Sequence, residues 1–309
     1  MYRLLEKEQE LLILECLLKN KNTGIVLVVA AAVLWSTAGA FVKLIDMEAL
    51  TLSATRSVFA ALVLLPFLRP RKVGWNRYLP VLFVLYALTC GSFLMGLRYT
   101  NATNAVALHF TSPLWIYAWS LVRGRKIRRQ ELLPMLCIVC GIIICIIEPK
   151  EGTSRLGNIT ALFSGITFAA FAICLPQNRS QNNVGVICLS NIFAALFLYG
   201  CAIIFTNVNI GAEFAAVNQI GWFAIVALGA LQLAVAYCLF AFGVNKIGPQ
   251  KATVIGLLEM VLNPIWVLIF AGETPSPFGI ACWILILAGL ILDTLYNKEI
   301  IEQNAVAKT

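Results

Sequence analysis

Residues 96–108 read Gly-Leu-Arg-Tyr-Thr-Asn-Ala-Thr-Asn-Ala-Val-Ala-Leu, and residues 243–255 read Gly-Val-Asn-Lys-Ile-Gly-Pro-Gln-Lys-Ala-Thr-Val-Ile. Each stretch ends one long apolar segment, turns through a few polar residues and starts another. Gly96 falls on Gly243 and Ala105 on Ala252, an offset of 147. Further on, Gly141 falls on Gly289, an offset of 148. Toward the N-terminus, Gly24 opens the first apolar segment and Gly157 the sixth, and Phe59-Ala60-Ala61-Leu62 recurs as Phe193-Ala194-Ala195-Leu196. Matches in the same order at a nearly constant offset mark an internal duplication.

What is duplicated is a set of membrane crossings. The chain has 309 residues, 60% of them hydrophobic and 12% charged, where a soluble domain carries about 25% charge. Mean hydropathy is +0.86. Ten apolar runs, at 24–45, 50–68, 79–97, 105–122, 131–147, 157–176, 184–205, 221–244, 252–271 and 277–296, are of a length to cross a hydrocarbon core of ~30 Å as helices. The expected fold is all-α, a polytopic membrane protein with ten transmembrane helices in two five-helix repeats, 24–148 and 149–297. Five is odd, so the second repeat enters the membrane inverted, an arrangement by which secondary transporters build two alternative openings around one site.

Charge placement sets the expected orientation. A net charge of +8 invites a nucleic-acid reading, but with the N-terminus inside, 18 of the 23 Lys and Arg fall on inner segments, among them Arg69, Arg71, Lys72, Arg77 and the run Arg123–Arg129, against 4 outside (Lys43, Arg98, Lys150, Arg155). This is the positive-inside pattern, and it puts both termini in the cytosol. Residues 1–23 alternate leucines with Glu6, Lys7, Glu8, Glu10 and Glu15. They read as a cytosolic extension, either an amphipathic helix on the inner face or a poorly ordered leader; the acidic residues are wrong for a signal peptide. Residues 298–309 are a cytosolic tail.

The chain resembles the EamA branch of the drug/metabolite transporter superfamily. Three stretches carry the resemblance: Trp35-Ser36 with Lys43 and Arg56; Gly96 to Ala102 leading to Ser112-Pro113; and Leu258-Glu259 through Asn263-Pro264 to Trp266, followed by Gly272-Glu273. It covers about residues 24–296 and implies ten helices as two inverted repeats, with export the commoner role. Two positions depart from the family pattern. Gly124-Arg125 stands where a Gly-Glu usually follows the fourth helix, and Met260 where a proline usually follows the glutamate of the ninth.

Polar groups inside membrane helices are costly and face a partner or a water-filled cavity. On the ninth segment Ala252, Gly256, Glu259, Asn263 and Trp266 share one stripe. Glu259, near mid-span, reads either as a carboxylate that binds a substrate ammonium or exchanges a proton, or as a structural Glu held by helix-end amides or Asn263. The fourth segment carries Ala105, His109, Ser112, Ile116 and Trp119 on one stripe, with Ser112 the repeat counterpart of Glu259. His109, the only histidine, reads as a proton relay, since imidazole titrates near ~6.5, or as a hydrogen-bonding group between helices. The pseudo-twofold brings His109 and Glu259 toward each other across a cavity.

Arg56 has three readings: snorkelling to the outer surface, pairing with Asp46 or Glu48, or attracting a substrate carboxylate. Trp35, Trp119, Tyr237 and Trp266 are candidates for an aromatic cavity wall, with Trp115 and Tyr117 beside them. Thr160, Ser164, Thr167 and Phe171 form a milder stripe on the sixth segment; Gln232 and Asn191 stand on the eighth and seventh. Pro113 and Pro264 each remove a helical hydrogen bond and kink the chain, which suits a pair of hinges or two static bends.

These residues favour a secondary transporter of small organic metabolites, amino-acid-like or amphipathic, moved by alternating access and driven by gradients, either with proton coupling through Glu259 or by facilitated exchange; the family resemblance, not the residues, implies efflux. No P-loop is present. A flippase for lipid or lipid-linked headgroups is the alternative, with only Arg56 to support a headgroup pocket. An intramembrane enzyme fares worse, because the chain has no His-Glu-x-x-His, no Gly-x-Ser-x-Gly and no second mid-membrane carboxylate. No cofactor and no metal site is expected. Cys137-x-x-Cys140 lies within an apolar segment and reads as small packing residues. The expected partners are the solute and membrane lipids, no nucleic acid, and a monomer in a prokaryotic inner membrane.

Overall fold

The computed structural model describes residues 21–42, 44–100, 102–124, 129–147, 154–206, 208–271 and most positions of 277–292; the expected extension, apart from 21–23, and the 298–309 tail lie outside the described residues. Every regular element among them is helical. In chain order they are α1 (Lys21–Ser36), α2 (Ala38–Val42), α3 (Ala49–Leu64), α4 (Tyr78–Tyr99), α5 (Ala102–His109), α6 (Ser112–Val122), α7 (Arg129–Ile147), α8 (Arg155–Cys174), α9 (Asn183–Phe205), α10 (Ile210–Ala216), α11 (Gln219–Ala227), a π-helical segment (Leu228–Ala236), α12 (Tyr237–Ile247), α13 (Pro249–Gly256) and α14 (Leu258–Ala271).

Six helical stretches are long and apolar enough to cross a membrane, and 22–36 and 131–144 are shorter apolar helices. The other expected crossings are interrupted or only partly described. The first breaks at Thr37, the ninth at Leu257, the fifth carries Pro134, and the tenth is described in pieces. The ends are set by local chemistry. The Glu48 carboxylate accepts from the Leu50 and Thr51 N–H groups and so caps α3. Asn182, Asn209 and Asn218 accept in the same way at the starts of α9, α10 and α11, which satisfies otherwise orphaned donors.

Packing follows the internal repeat. α1 lies against α12, α4 against α8, and α3 against α9; these are the first with the eighth segment, the third with the sixth, and the second with the seventh. The closest approaches match residue by residue. A Cβ built on Gly24 would lie 2.7 Å from Ile247 Cγ2 and 2.9 Å from Lys246 Cβ, while one on Gly157 would lie 2.5 Å from Thr100 N and from the Tyr99 carbonyl carbon. One on Gly96 would lie 2.8 Å from Ala161 Cβ, and one on Gly243 would run into Val28 Cγ2. Exchanging the two halves turns each contact into its partner.

The breaks in the fourth and ninth segments also correspond. Helix stops at Phe110-Thr111 before α6 and at Leu257 before α14, and Phe110 aligns with Leu257 in the register that matches Gly96 with Gly243. The first break has a chemical cause. Pro113 supplies no N–H for the His109 carbonyl, and that carbonyl instead faces Gly165, where a Cβ would lie 2.6 Å from it. Pro264 has no such effect at the second break, since it lies within the continuous α14, seven residues past Leu257.

Candidate functional site

Near the level of these breaks the bundle encloses a cavity of about 40 Å³, room for about three waters at ~10–15 Å³ each. Its lining comes from seven of the crossings. Trp35 and Ala38 flank the break in the first; Arg56 stands on α3, Thr89, Cys90 and Phe93 on α4, His109 and Phe110 at the end of α5, and Phe168 on α8. Gln232, Leu233 and Tyr237 come from the π segment and the start of α12, and Glu259 from the first turn of α14.

Six of the thirteen lining residues carry rings, and further rings, Tyr86 and Phe240, back them. Trp35 meets Phe168 at 5.8 Å, Tyr237 at 5.1 Å and Phe240 at 5.2 Å between centroids, and Tyr86 meets Tyr237 at 4.7 Å. All but the tilted Trp35–Phe240 pair are edge-to-face, and aromatic pairs of this kind add about 0.5–1.5 kcal/mol beyond their area. The Trp35 indole N–H donates to the Gln232 carbonyl at 3.0 Å. The Gln232 amide donates to Thr37 Oγ1 at 3.2 Å, where the first helix breaks. A π segment widens the turn and frees backbone groups from the α ladder; here the Gln232 carbonyl finds an indole instead.

His109 is buried among Phe93, Phe168 and Phe110, with ring centroids at 4.6, 5.2 and 5.4 Å. Its Nδ1 lies 2.8 Å from Ser164 Oγ. The Ser164 hydroxyl donates to the Ala161 carbonyl at 2.6 Å, so its one proton is used and its oxygen accepts. That assigns the proton of a neutral His109 to Nδ1 and leaves Nε2 as an acceptor. Glu259 is 5% exposed, at the positive end of the α14 dipole, and among the described residues no side chain pairs or hydrogen-bonds with its carboxylate.

Arg56 corrects one expectation. It neither snorkels nor pairs with Asp46 or Glu48. It is 3% exposed, donates from Nη2 to the Cys90 carbonyl at 3.2 Å, and its Nε is buried with no partner among the described residues. Asp46 stands instead 3.9 Å from Arg98, and Glu48 is occupied as the α3 cap. Arg56 and Glu259 face one cavity without forming an ion pair.

Of the other expected residues, Trp35, Gln232 and Tyr237 line the cavity beside His109 and Glu259. Trp119 does not: it is half-exposed, with the Arg123 guanidinium 5.6 Å over its ring. Eight residues past Thr111 at the α5–α6 break, it stands away from the cavity. Trp266 sits behind the wall, its indole N–H donating to Ser36 Oγ at 2.8 Å. Ser112 is fully buried at the start of α6, with no partner for its hydroxyl among the described residues, and does not line the cavity. The side chains of Asn263 and Pro264 lie outside the described residues.

The sequence reading missed Phe93, Phe110, Phe168, Thr89 and Cys90. The repeat contained a signal for two of them. Phe168 is the counterpart of Trp35, and Cys90 is the counterpart of Tyr237, whose hydroxyl it meets at 3.9 Å.

Comparison with known proteins agrees with this architecture. The model of the EamA-like transporter family matches residues 22–147 and again 155–294. The chain is 25% identical over 270 residues to an uncharacterized transporter of Archaeoglobus fulgidus, covering 86% of this chain and 94% of that one. It is 27% identical to the uncharacterized inner membrane transporter YicL of Salmonella typhimurium over 91% of this chain and 98% of that one. It is 23% identical to the threonine/homoserine exporter RhtA of Escherichia coli over 80% and 82%. A crystal structure superposes with a TM-score of 0.74 at 17% identity, covering 91% of this chain and 99% of that one, so the fold is shared. With both halves of the chain matched, the protein belongs to the EamA-like transporter family and is a multi-spanning membrane transporter.

Proposed function

We propose that this transporter carries small zwitterionic metabolites, amino-acid-like or amphipathic, by alternating access of ten helices in two inverted five-helix repeats. The observation that carries the reading is the pair Arg56 and Glu259, a guanidinium and a carboxyl group that line one buried cavity and are not joined to each other. A buried charge without a partner costs several kcal/mol or more. A solute bearing both a carboxylate and an ammonium supplies both missing partners at once. The corresponding glycine contacts of the two halves support the repeat architecture, and corresponding breaks at Phe110 and Leu257 support a centre about which the halves rearrange.

The asymmetric features support the same location. The break at Thr37, the π segment around Gln232, Arg56 and Glu259 each lack an equivalent in the other half, and all converge on the cavity. At about 40 Å³ the cavity is contracted and widens when solute enters. Efflux is the direction of the exporter RhtA, and we take it for this chain, with both termini in the cytosol of a prokaryotic inner membrane. Ten helices in two repeats suffice to build one pathway, so we take the transporter as a monomer. Glu259 and the acceptor Nε2 of His109 supply the exchangeable groups for proton coupling.

The test is exchange in proteoliposomes loaded with amino acids, polyamines, nucleosides and sugars, read by mass spectrometry against empty liposomes. Zwitterions cross with the wild type and fall at least tenfold with Glu259→Gln, matching the loss of one charge-assisted contact of about 1.5–3 kcal/mol. Passage of zwitterions unchanged by Glu259→Gln, or passage of sugars alone, contradicts the proposal.

A further inference from the structure

Glycines buried in this bundle are mostly places where another segment passes close. A Cβ built on Gly91 would lie 2.6 Å from Leu198 Cδ2, and one on Gly229 would lie 2.5 Å from the Arg56 carbonyl oxygen. Gly256 is different. It is buried, yet among the described residues only Phe110 Cε1 comes within 4 Å of its Cβ position, at 3.9 Å. Its φ is not in the left-handed region, which Gly74, Gly124 and Gly248 occupy. Neither close packing nor backbone conformation therefore calls for a glycine here. Among the described residues, what the glycine leaves is space.

That space adjoins the site. Gly256 is the last residue of α13, one before the break at Leu257 and three before Glu259, and its one near neighbour, Phe110, lines the cavity. Its repeat counterpart is His109, whose imidazole is packed by three phenylalanine rings and held by Ser164. The two halves thus differ beside the cavity: His109 on the fourth segment lines it with a ring, while Gly256 on the ninth does not line it and adjoins it through Phe110. The gap lies three residues from Glu259, across the break at Leu257.

We propose that Gly256 and Phe110 bound the compartment that receives the substrate's side chain, and that Gly256 sets its upper size. The inference rests on the zwitterion reading: a solute whose ammonium meets Glu259 places the substituent on its neighbouring carbon within reach of the gap. Adding carbon at Gly256 then excludes large substituents before small ones. A methylene's difference in an apolar pocket is worth about 10–200-fold in discrimination.

The experiment compares wild type with Gly256→Ala and Gly256→Val in two measurements. Thermal melting of purified protein in detergent tests the gap. Both variants melt within about 2 °C of wild type, whereas Gly157→Val, which would meet backbone, melts far lower. A fall at Gly256→Val as large as at Gly157→Val overturns the proposal. Exchange of alanine, threonine, leucine and phenylalanine in proteoliposomes tests the compartment. Gly256→Val lowers phenylalanine and leucine at least tenfold more than alanine, with Gly256→Ala between. An equal fall for all four, or no change, overturns the proposal. If the wild type moves none of the four, the zwitterion reading fails and the size-limiting role falls with it, while the melting result still decides whether the gap exists.

Discussion

Trp35 and Phe168 occupy equivalent positions in the two halves of the chain, and their rings meet edge to face with centroids 5.8 Å apart. Cys90 and Tyr237, a second equivalent pair, also meet, Sγ to hydroxyl, at 3.9 Å. Contacts between a residue and its own counterpart mark the line about which the two halves exchange. The cavity lies on that line, because all four residues line it.

The equivalent glycines do not tolerate carbon equally. At Gly157 an added Cβ meets the backbone of Tyr99 and Thr100, which has little freedom to move, while at Gly24 it meets the side chains of Ile247 and Lys246. Gly157→Ala is expected to cost about 1–3 kcal/mol, the usual range for overpacking, and Gly24→Ala less. Denaturation of the two variants in detergent checks the order.

Trp35→Phe keeps a ring against Phe168 but removes the indole N–H from the Gln232 carbonyl. Leaving a buried carbonyl unsatisfied costs about 1–3 kcal/mol. Because that carbonyl belongs to the π segment at the cavity wall, exchange is expected to fall together with stability. Melting and exchange measured on the same preparation check both.

Ser164→Ala leaves the Nδ1–H of His109 without its acceptor, on the tautomer assigned above. The variant is expected to lose about 1–3 kcal/mol, and Ser164→Thr to recover most of it by keeping the hydroxyl. Nitrogen chemical shifts of the single histidine report the tautomer directly, with Nδ1 protonated in the wild type.

Trp119→Ala is expected to leave exchange within about twofold of wild type, since Trp119 stands half-exposed away from the cavity and a surface substitution of this kind shifts energies by about 0.5 kcal/mol. Exchange assayed beside Trp35→Phe makes the contrast.

The helical segments and their duplication were legible because apolar length and repeated glycines are one-dimensional signals. Gly24, Gly96, Gly157 and Gly243, which the sequence alignment pairs, are where helices come close. Glu259, His109, Gln232 and Arg56 stood out because a polar residue in an apolar run is conspicuous. Phe93, Phe110 and Phe168 did not, since a phenylalanine facing a cavity and one facing lipid look alike in a hydrophobic segment. Trp119 was misjudged because a stripe drawn along an unbroken helix ignores the break at Phe110-Thr111. The three readings of Arg56 stayed open because its depth depends on how α3 packs, which spacing alone does not show.

The measurement that tests the central claim most directly compares three solutes sharing one apolar side chain: leucine, isoamylamine and isocaproate. Each is assayed for exchange with wild type, Arg56→Gln and Glu259→Gln. The account predicts that wild type favours leucine over both analogues by at least tenfold, that Arg56→Gln narrows the gap to the amine, and that Glu259→Gln narrows the gap to the acid. Equal handling of all three by the wild type, or variants that lower all three in the same proportion, would contradict a zwitterion held between Arg56 and Glu259.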